Sequence, residues 1–326
     1  MPVAPSRAPC GIVAAMPESS ATRPIRVGIQ LPEVEREVRW PELIDIARTA
    51  EDVGFDSIWV GDHLLYRWPG RDPRGPWEAW TLLAGLAAAT RRVQLGPLVA
   101  CTAFHAPAIL AKQAATVDEI SGGRLILGLG AGWNETEFRA FGLPFDHRVD
   151  RFEEAFTIIR TLLRDGAIDF DGRYYQARDC ELLPRPARSG GPPLLVGSIG
   201  PRMLRITTPH VEMWNAWYAD TGNEPAGVPR LRTLVDEACR DVGRDPATLE
   251  RTVAVQVRLT GGKGRLMGDP SRKQAVEPIS GPPDAIAEGL LAYAPEGIAH
   301  LQLVLDPISR GSVEELAPVL EILDRG

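Results

Sequence analysis

The chain has 326 residues, of which 44% are hydrophobic and 24% are charged, and its formal net charge at pH 7 is −7. This length fits either two domains or one α/β barrel, and the composition is that of an ordinary soluble globular protein. Both signs of charge are interspersed without a concentrated basic stretch, so we expect no nucleic-acid partner.

Cysteine spacing and apolar runs restrict the compartment and the partners. The four cysteines are far apart and form no CxxC pair, which predicts neither a disulfide framework nor a zinc site. They are Cys10, Cys101, Cys180 and Cys239. We therefore expect unpaired cysteines in a reducing, cytoplasmic location and no bound metal. No run approaches the roughly 18 apolar residues that cross a bilayer, so we expect no membrane partner.

Residues 1–24 are interpreted as a flexible leader before a single domain that covers residues 25–326. The apolar run at residues 11–16 is interrupted by Pro17, and no convincing small-residue cleavage site follows it. A secretory signal peptide is therefore the less favoured interpretation of this segment.

From Ile25 onward, short apolar runs alternate with segments of helical periodicity. The runs are continuous rather than alternating, as expected for parallel strands that are covered on both faces. They lie at residues 25–31, 56–60, 93–100, 124–130, 194–197, 211–217, 252–259 and 300–305. The helical segments lie at residues 40–54, 77–90, 107–123, 149–166, 202–209, 230–239, 283–294 and 313–326.

Eight strand–helix units in about 300 residues predict an α/β fold of the closed (β/α)8 type, the TIM barrel. A doubly wound open sheet is the alternative, although such a sheet usually stops at about five or six strands. Between the fourth and fifth units, residues 168–193 break the rhythm with an Asp171-Gly172 turn signal between two short runs. We predict an inserted hairpin there.

The second strand delivers Asp62 and His63 to its carboxyl end, where the active groups of such barrels lie. We predict that both residues are catalytic. His63, as a neutral imidazole, would deliver or accept a proton. Asp62 would either orient His63 or cap the following turn. A purely structural histidine at a strand end is the alternative.

Two further strand ends carry glycine-rich turns. After the fourth strand, Gly128, Gly130 and Gly132 either let the backbone approach a flat ligand or allow tight packing. After the fifth strand, Gly197–Gly200 lead into a helix, an arrangement that binds phosphate through backbone amides but also occurs in ordinary turns. Arg202, in the first turn of that helix, is either an anion ligand or a solvated side chain.

Aromatic side chains and a basic loop complete the candidate mouth of the barrel. Trp68, Trp77 and Trp133 would wall an apolar substrate pocket or, alternatively, pack against the protein. The loop after the seventh strand is rich in glycine and carries four cations. It is therefore either a flap that meets an anionic ligand or a disordered solvent loop. The four cations are Lys263, Arg265, Arg272 and Lys273.

Other residues near the strand ends are assigned structural roles. Glu135 and Glu137 are interpreted as solvated acids that the helix dipole favours at a helix start. Arg148 and Asp150 open the next helix and are expected to pair locally. Pro97 predicts a bulged or distorted third strand, because proline donates no ladder hydrogen bond.

With these residues in place, the chain resembles the bacterial luciferase-like superfamily of flavin and deazaflavin enzymes over residues 25–326. The resemblance depends most on residues 105–142, HAPAILAKQAATVDEISGGRLILGLGAGWNETEFRAFG, with further support from AEDVGFDSIWVGDH, PPLLVGSIGPRML and the GRYY hairpin. It implies a (β/α) barrel whose mouth holds an isoalloxazine-type ring. It also implies a non-prolyl cis peptide between Leu98 and Val99 that supports the ring from behind.

The same resemblance assigns residues to the cofactor. His63 would face the reactive edge of the ring. The loop after the fourth strand would line the side of the ring, and the loop after the fifth strand would give its amides to the cofactor phosphate. The ring residues are Gly130, Ala131, Gly132 and Trp133, and the phosphate residues are Gly197, Ser198, Ile199 and Gly200.

Two branches of the superfamily leave the cofactor open. The GWNETEF segment resembles the branch that uses coenzyme F420, which implies hydride transfer to or from a small organic substrate. Trp133 stands where the sugar-phosphate dehydrogenases of that branch have a glutamate, so no sugar-phosphate substrate is implied. The alternatives are an FMN-dependent monooxygenase, like the alkanesulfonate and alkane monooxygenases, with a partner reductase, and a non-catalytic flavin-binding protein. The resemblance also implies a homodimer.

Overall fold

The computed structural model describes residues 23–264 and 276–325, and eight barrel strands lie in the order that the sequence predicts. Apart from Arg23 and Pro24, the predicted leader lies outside the described residues. The strands are β1 (Arg26–Gln30), β2 (Ser57–Val60), β3 (Gln94–Pro97), β4 (Ala100–Cys101), β5 (Leu127–Gly130), β6 (Ala167–Asp171), β7 (Gln176–Glu181), β8 (Leu194–Gly197), β9 (Met213–Ala216), β10 (Glu250–Arg258) and β11 (His300–Asp306).

The helices pack outside the barrel strands, and most match a predicted helical segment. They are α1 (Trp40–Val53), α2 (Ala79–Ala89), α3 (Pro107–Ser121), α4 (Glu135–Ala140), α5 (Arg148–Arg164), α6 (Pro201–Thr207), α7 (Tyr218–Thr221), α8 (Val228–Asp241), α9 (Pro283–Leu291), α10 (Arg310–Glu315) and α11 (Ala317–Asp324). In the described part of the chain, no helix combines the length and apolar character that a membrane span requires.

The predicted closed barrel is confirmed. The parallel sheet runs in the order β3-β2-β1-β11-β10-β9-β8-β5-β4. A parallel β-bridge joins Leu95 of β3 to Leu125, which lies just before β5, and so closes the sheet. Strands β3 and β4 are two halves of one barrel strand, separated by a cis peptide between Leu98 and Val99. The predicted interruption after Pro97 therefore takes this form, and the cis bond implied by the resemblance is present.

Helix α1 illustrates how the sequence produces the outer layer. Leu43, Ile46, Ala47 and Ala50 recur at helical spacing and are all buried against the strands. Burial of a leucine or isoleucine side chain contributes about 1.5–3 kcal/mol each, which exceeds what helix propensity supplies. The helix ends at Gly54, whose φ of 108° lies in the left-handed region that a Cβ disfavours.

One predicted helix is two helices in the structure. The sequence predicts a single helix over residues 313–326, but α10 ends at Glu315 and α11 begins at Ala317. Pro318 occupies the first turn of α11, and its ring nitrogen cannot donate the hydrogen bond that would continue the preceding helix. Helix α7 was not predicted, and α4 was predicted only as a helix start at Glu135 and Glu137, because each helix is too short to show a helical repeat in the sequence.

The predicted insertion between the fourth and fifth units is an antiparallel hairpin, β6 with β7. Its turn is fixed to α5, because the Glu154 carboxylate accepts backbone hydrogen bonds from Arg173 at 2.8 Å and from Tyr174 at 2.8 Å. Gly172 is required beside this contact, since a Cβ there would lie 2.4 Å from the same carboxylate. The hairpin is therefore packed against α5 through its turn.

The interior of the barrel contains a buried histidine that differs from His63. His300, at the start of β11, shares a 2.7 Å hydrogen bond with the hydroxyl of Ser57, which also accepts one from Trp59 Nε1 at 2.7 Å. Burial, together with the nearby charge of Arg26, lowers the pKa of His300 well below its ordinary value. This imidazole is therefore neutral and structural.

Candidate active site at the carboxyl ends of the strands

His63 lies at the mouth of the barrel, directly after β2, and a carboxylate fixes its orientation. Its Nδ1 donates a 2.8 Å hydrogen bond to Oε1 of Glu137, a buried residue of α4. The other oxygen of that carboxylate accepts from the backbone N–H groups of Leu64 at 2.8 Å and Leu65 at 3.2 Å. One acid therefore holds both the imidazole and the backbone that follows it.

A second buried acid faces the other nitrogen of the ring. Oε1 of Glu33 lies 4.0 Å from His63 Nε2 and accepts a 3.0 Å hydrogen bond from the hydroxyl of Tyr66. Gly61 makes room for this carboxylate, because a Cβ at that position would lie 2.6 Å from the Glu33 Cδ. Nε2 itself makes no hydrogen bond to any described residue, and the side chain remains 18% exposed. It is therefore free to meet a ligand.

The charges around His63 change its protonation. Burial by itself lowers the pKa of His63, but the hydrogen bond to Glu137 and the charges of Glu33, Glu137 and Asp62 act in the opposite direction and outweigh it. The pKa of His63 is therefore raised above its ordinary value. The surrounding acids thus favour the protonated imidazolium, a proton donor, more than an ordinary environment does, and the neutral imidazole stays a prediction.

Asp62 takes neither of the roles that the sequence predicted. Its buried carboxylate accepts a 2.9 Å hydrogen bond from the backbone N–H of Cys101 and a 3.0 Å hydrogen bond from His105 Nε2. It therefore ties the end of β2 to β4, just beyond the cis peptide. Asp62 contributes charge to the surroundings of His63, but His63 is oriented by Glu137.

Two of the three predicted tryptophans lie at this site. Trp133 packs edge-on to His63 with ring centroids 5.6 Å apart, and it is 40% exposed. Tyr66 packs against His63 at 4.7 Å, and Trp68 stacks on Tyr66 at 5.0 Å with an interplanar angle of 18°. Trp77 is 50% exposed and donates its Nε1–H to the carbonyl of Val38 at 2.8 Å. The structure therefore places Trp77 apart from the His63 cluster.

The glycines in β5 and in the loop after it pack closely against other residues of the protein. A Cβ at Gly128 would lie 2.3 Å from the carbonyl oxygen of Pro97, and one at Gly130 would lie 2.7 Å from Val99 Cγ2. Gly132 has a φ of 75°, and a Cβ there would lie 2.5 Å from the sulfur of Cys101. Packing against the protein therefore accounts for glycine at these three positions. Residues 131–133 remain at least partly exposed at the mouth.

We expect Gly128→Ala to reduce the free energy of unfolding by about 3 kcal/mol or more, because the new methyl group meets a backbone carbonyl that cannot move aside. Gly200→Ala is the matched control, since the nearest atom to a Cβ there is the Ser198 Oγ at 3.7 Å. We expect that variant to stay within about 1 kcal/mol of the wild type. Urea denaturation followed by circular dichroism measures both, and equal midpoints would contradict the packing argument.

The loop after β8 contains the residues predicted to hold a phosphate. Gly197, Ser198, Ile199 and Gly200 are all partly exposed, and α6 begins directly after them. Arg202 in that helix forms ion pairs with Asp150 and Glu153 of α5, the latter at 2.8 Å. Its charge is therefore already matched by two carboxylates, which disfavours the alternative that Arg202 is the principal anion ligand.

Local pairing at the start of α5 is confirmed only in part. Asp150 accepts a 3.2 Å hydrogen bond from His147 Nδ1, three positions earlier, in addition to its ion pair with Arg202. Arg148 instead reaches back to the loop after β5 and donates a 2.7 Å hydrogen bond to the carbonyl of Gly132. It therefore supports the segment that precedes Trp133.

A cavity of about 860 Å³ opens beside the His63 cluster, between the loops that follow β1, β2, β10 and β11. Trp68 is part of its wall and connects it to Tyr66 and His63. Its lining comprises Pro32, Val34, Glu35, Arg36, Trp68, Gly70, Arg71, Asp72, Arg74, Gly261, Lys263, Gly264, Leu305, Asp306, Pro307 and Ile308. Of the four cations in the predicted flap, Lys263 lines this cavity, and Arg265, Arg272 and Lys273 lie outside the described residues.

Sequence reasoning missed the acids that define the site. The interpretation of Glu137 as solvated is wrong, because it is buried and bonded to His63, whereas Glu135 is exposed as expected. Glu33 follows β1 as His63 follows β2, so its position at a strand end was the available signal. For Glu137 the available signal was its neighbour Phe138, an apolar residue that is also buried in α4.

Comparisons with known proteins identify relatives in sequence and in fold. A family model for luciferase-like monooxygenases matches residues 22–261. The F420-dependent glucose-6-phosphate dehydrogenase of Amycolatopsis mediterranei is 35% identical over 165 residues, which cover 49% of this chain and 48% of that protein. Pyrimidine monooxygenase RutA of Cronobacter sakazakii is 34% identical over 177 residues, which cover 51% of this chain and 50% of that protein.

The chain thus spans about half the length of the curated relatives it matches. Among solved structures, an F420-dependent secondary alcohol dehydrogenase superimposes with a TM-score of 0.76, covering 92% of this chain and 99% of that one at 21% identity. That likeness shows a shared barrel fold. Since the family model covers most of the barrel, the chain belongs to the family of luciferase-like monooxygenases.

Proposed function

We propose that the chain is an oxidoreductase that transfers hydride between coenzyme F420 and a small organic substrate. The observation that carries this proposal is His63, held by one buried carboxylate and faced by a second, with a free Nε2 at the mouth of the barrel. The F420-dependent dehydrogenase relative supports the choice of cofactor. When bound, such a cofactor supplies the hydride, and the protein supplies position and protons.

The cofactor would lie along three neighbouring strands, β4, β5 and β8. Leu98 and Val99 would support the ring, Gly130, Ala131, Gly132 and Trp133 would line its side, and Gly197, Ser198, Ile199 and Gly200 would bind the phosphate through their amides. The partly exposed backbone at residues 131–133 and 197–200 fits this use, because the neighbouring strands are otherwise buried. The space around Gly200 likewise leaves room for a ligand.

His63 would act as the proton donor that accompanies hydride transfer. The raised pKa of His63 favours protonation at Nε2, while its Nδ1–H remains on Glu137. In reduction of a carbonyl, the protonated ring would give its Nε2 proton to the oxygen as hydride reached the carbon, and the imidazole would be left neutral with a fixed tautomer. In the reverse direction, the same neutral Nε2 accepts the proton from an alcohol.

An FMN-dependent monooxygenase is the second candidate, supported by the pyrimidine monooxygenase relative and by the description of the family. It would take reduced FMN from a partner reductase and react it with dioxygen. The third alternative, a flavin-binding protein without catalysis, gives no reason to bury two acids around His63. Both candidates use the same barrel mouth, so the cofactor is the property that separates them.

Titration of the full-length chain with F420 and separately with FMN tests the proposal, with the fluorescence of each cofactor as the signal. We expect quenching of F420 at micromolar concentrations and weaker binding of FMN. Gly200→Asp would place a carboxylate beside the proposed phosphate position and is expected to weaken binding about tenfold or more. Tight binding of FMN without any response to F420 would overturn the first candidate in favour of the second.

We further propose a homodimer and a cytoplasmic location. The dimer is implied by resemblance to the superfamily, and analytical ultracentrifugation of the purified chain tests it. The location is supported by the free state of Cys101, Cys180 and Cys239, which suits a reducing compartment.

A further inference from the structure

The mouth of the barrel is divided into two sides by the order of its strands. The proposed cofactor residues lie just before β4 and at the ends of β5 and β8, three strands that are neighbours in the sheet. The 860 Å³ cavity lies on the other side, at the ends of β2, β1, β11 and β10, which are also neighbours. His63 follows β2 and Glu137 follows β5, so their hydrogen bond spans the boundary between the two sides.

The cavity is adjacent to the reactive nitrogen through two contacts. Trp68 in its wall stacks on Tyr66, and Tyr66 packs on His63 at 4.7 Å. Val34 and Glu35 in its wall directly follow Glu33, whose carboxylate faces His63 Nε2. The cavity is therefore linked to His63 through Tyr66 and Glu33, on the β1 and β2 side of the mouth.

Part of the cavity wall is apolar. Val34, Leu305 and Ile308 are buried residues of the lining, and Trp68 adds an aromatic side chain to it. A volume of about 860 Å³ is in the range that encloses a drug-sized molecule and is larger than a simple alcohol needs. The occupant therefore has a substantial apolar part.

The rim of the cavity carries charge that is mostly positive where it is exposed. Arg71, Arg74 and Lys263 are exposed cations, whereas Asp72 is the exposed acid. Among the described residues, neither Arg71 nor Lys263 forms an ion pair. Arg74 donates only to backbone carbonyl groups, including that of Val34 at 3.4 Å.

The remaining charged residues of the lining are already engaged. Arg36 is paired with Glu42 outside the cavity. The Glu35 carboxylate accepts from the backbone N–H of Val34 at 3.1 Å, and Asp306 accepts from the backbone N–H of Gly264 at 2.7 Å. These acids are directed at the backbone, so a ligand at the rim meets three exposed cations, Arg71, Arg74 and Lys263, and one exposed acid, Asp72.

We propose that this cavity binds the substrate and that the substrate is an amphipathic organic anion, with its acid group between Arg71 and Lys263 and its apolar part against Trp68. That the bound molecule is the substrate rests on the proposed function, whereas the existence of the anion-binding site does not. Carboxylates, sulfonates and phosphates share the required chemistry, because each offers several acceptor oxygens to a guanidinium and an ammonium.

Two fluorescent compounds of nearly the same shape test the charge requirement directly on the full chain. 8-Anilinonaphthalene-1-sulfonate carries the acid group, and N-phenyl-1-naphthylamine lacks it. We expect the double variant Arg71→Gln/Lys263→Gln to weaken binding of the sulfonate about tenfold and to leave binding of the neutral amine within about twofold. Arg67→Gln is the matched control, because Arg67 is an exposed arginine in the same loop that does not line the cavity.

Trp68→Leu tests the apolar part, and it is expected to weaken binding of both compounds. Equal loss of both compounds in the charge variant, or no loss of either, would overturn the proposal. Cofactor titration of the same double variant is expected to match the wild type. Should the wild type bind neither cofactor while the sulfonate discrimination holds, the proposed function fails and the anion site stands. Should cofactor bind normally without that discrimination, the anion site fails alone.

Discussion

His63→Gln is expected to lower kcat by about 10²–10⁴-fold, the usual contribution of a positioned proton donor, while the dissociation constant of the cofactor stays within about threefold. His63 Nε2 lies at the mouth without a hydrogen bond to any described residue, and the raised pKa favours its protonated form. Glutamine can still donate a hydrogen bond to Glu137, so the buried carboxylate keeps a partner. What the variant removes is a proton that can be transferred.

Single-turnover kinetics with reduced cofactor and a substrate found by screening the wild type measures this effect. His147→Gln is the matched control, because His147 is an exposed histidine at the start of α5 that bonds to Asp150. We expect the control to react at the wild-type rate. A normal rate in His63→Gln would leave the imidazole with a structural role and remove the central element of the proposed function.

The fold was predictable because its determinants are local. Continuous apolar runs such as that of β2 and helical repeats such as that of α1 specify each layer, and the chain order of eight units then leaves few topologies. The same logic places Asp62 and His63 at the mouth, since both follow a strand directly. These features follow from spacing along the chain.

The partners of those residues were less predictable because they depend on contacts between distant segments. Glu137 lies 74 positions from His63, and its burial follows from the path of a loop and a six-residue helix that no periodicity reveals. Asp62 bonds to His105, which is 43 positions away, although His63 is its neighbour in sequence. Neighbouring residues of an extended segment point to opposite sides, so adjacency in sequence argued against the predicted Asp62–His63 contact.

The glycines at the end of the fourth predicted strand also show what the sequence alone leaves open. Gly128 and Gly130 read as positions for close approach, and the sequence alone left ligand and protein as alternatives. The structure brings Pro97 and Val99, from the neighbouring barrel strand, to these positions. The need for glycine was predictable, whereas the identity of the approaching atoms required the fold.

Glu137→Gln is expected to leave Nδ1 of His63 unprotonated and to lower the pKa of its ring. In the wild type, the carboxylate accepts three hydrogen bonds, from His63 Nδ1 and from the backbone N–H groups of Leu64 and Leu65. A glutamine amide has one oxygen and one NH2 group. If its oxygen stays with the two backbone N–H groups, its NH2 group faces Nδ1, which must then be unprotonated.

This exchange lowers the pKa of His63, because it removes both the charge and the hydrogen bond that raise it. The alkaline limb of the kcat/KM profile for carbonyl reduction is therefore expected to shift to lower pH, with a loss of about tenfold or more on the alkaline side of the variant's limb. Glu135→Gln, an exposed position on the same helix, is the matched control and should leave the profile unchanged.

Stability provides a readout that is independent of substrate and cofactor. A histidine whose pKa is raised by folding stabilises the native state fully below its unfolded pKa of about 6.5, and that contribution is lost as pH rises through the folded-state pKa. The stability difference between wild type and Glu137→Gln should therefore be largest at acidic pH, up to about 3 kcal/mol, and should shrink as pH rises. A difference that stays constant with pH would contradict the charge argument.

Nuclear magnetic resonance of the imidazole groups decides the mechanism of the shift. The chain contains five histidines, so ¹⁵N spectra of the ring nitrogens are simple enough to assign by substitution. We expect His63 to show two protonated nitrogens in the wild type and an unprotonated Nδ1 in Glu137→Gln. An unchanged spectrum would mean that Glu33, rather than Glu137, controls the charge of His63, because Glu33 is the other carboxylate that faces its ring. The proton that the enzyme transfers would then depend on the acid beside Nε2, and Glu33→Gln would become the variant that shifts the pH profile.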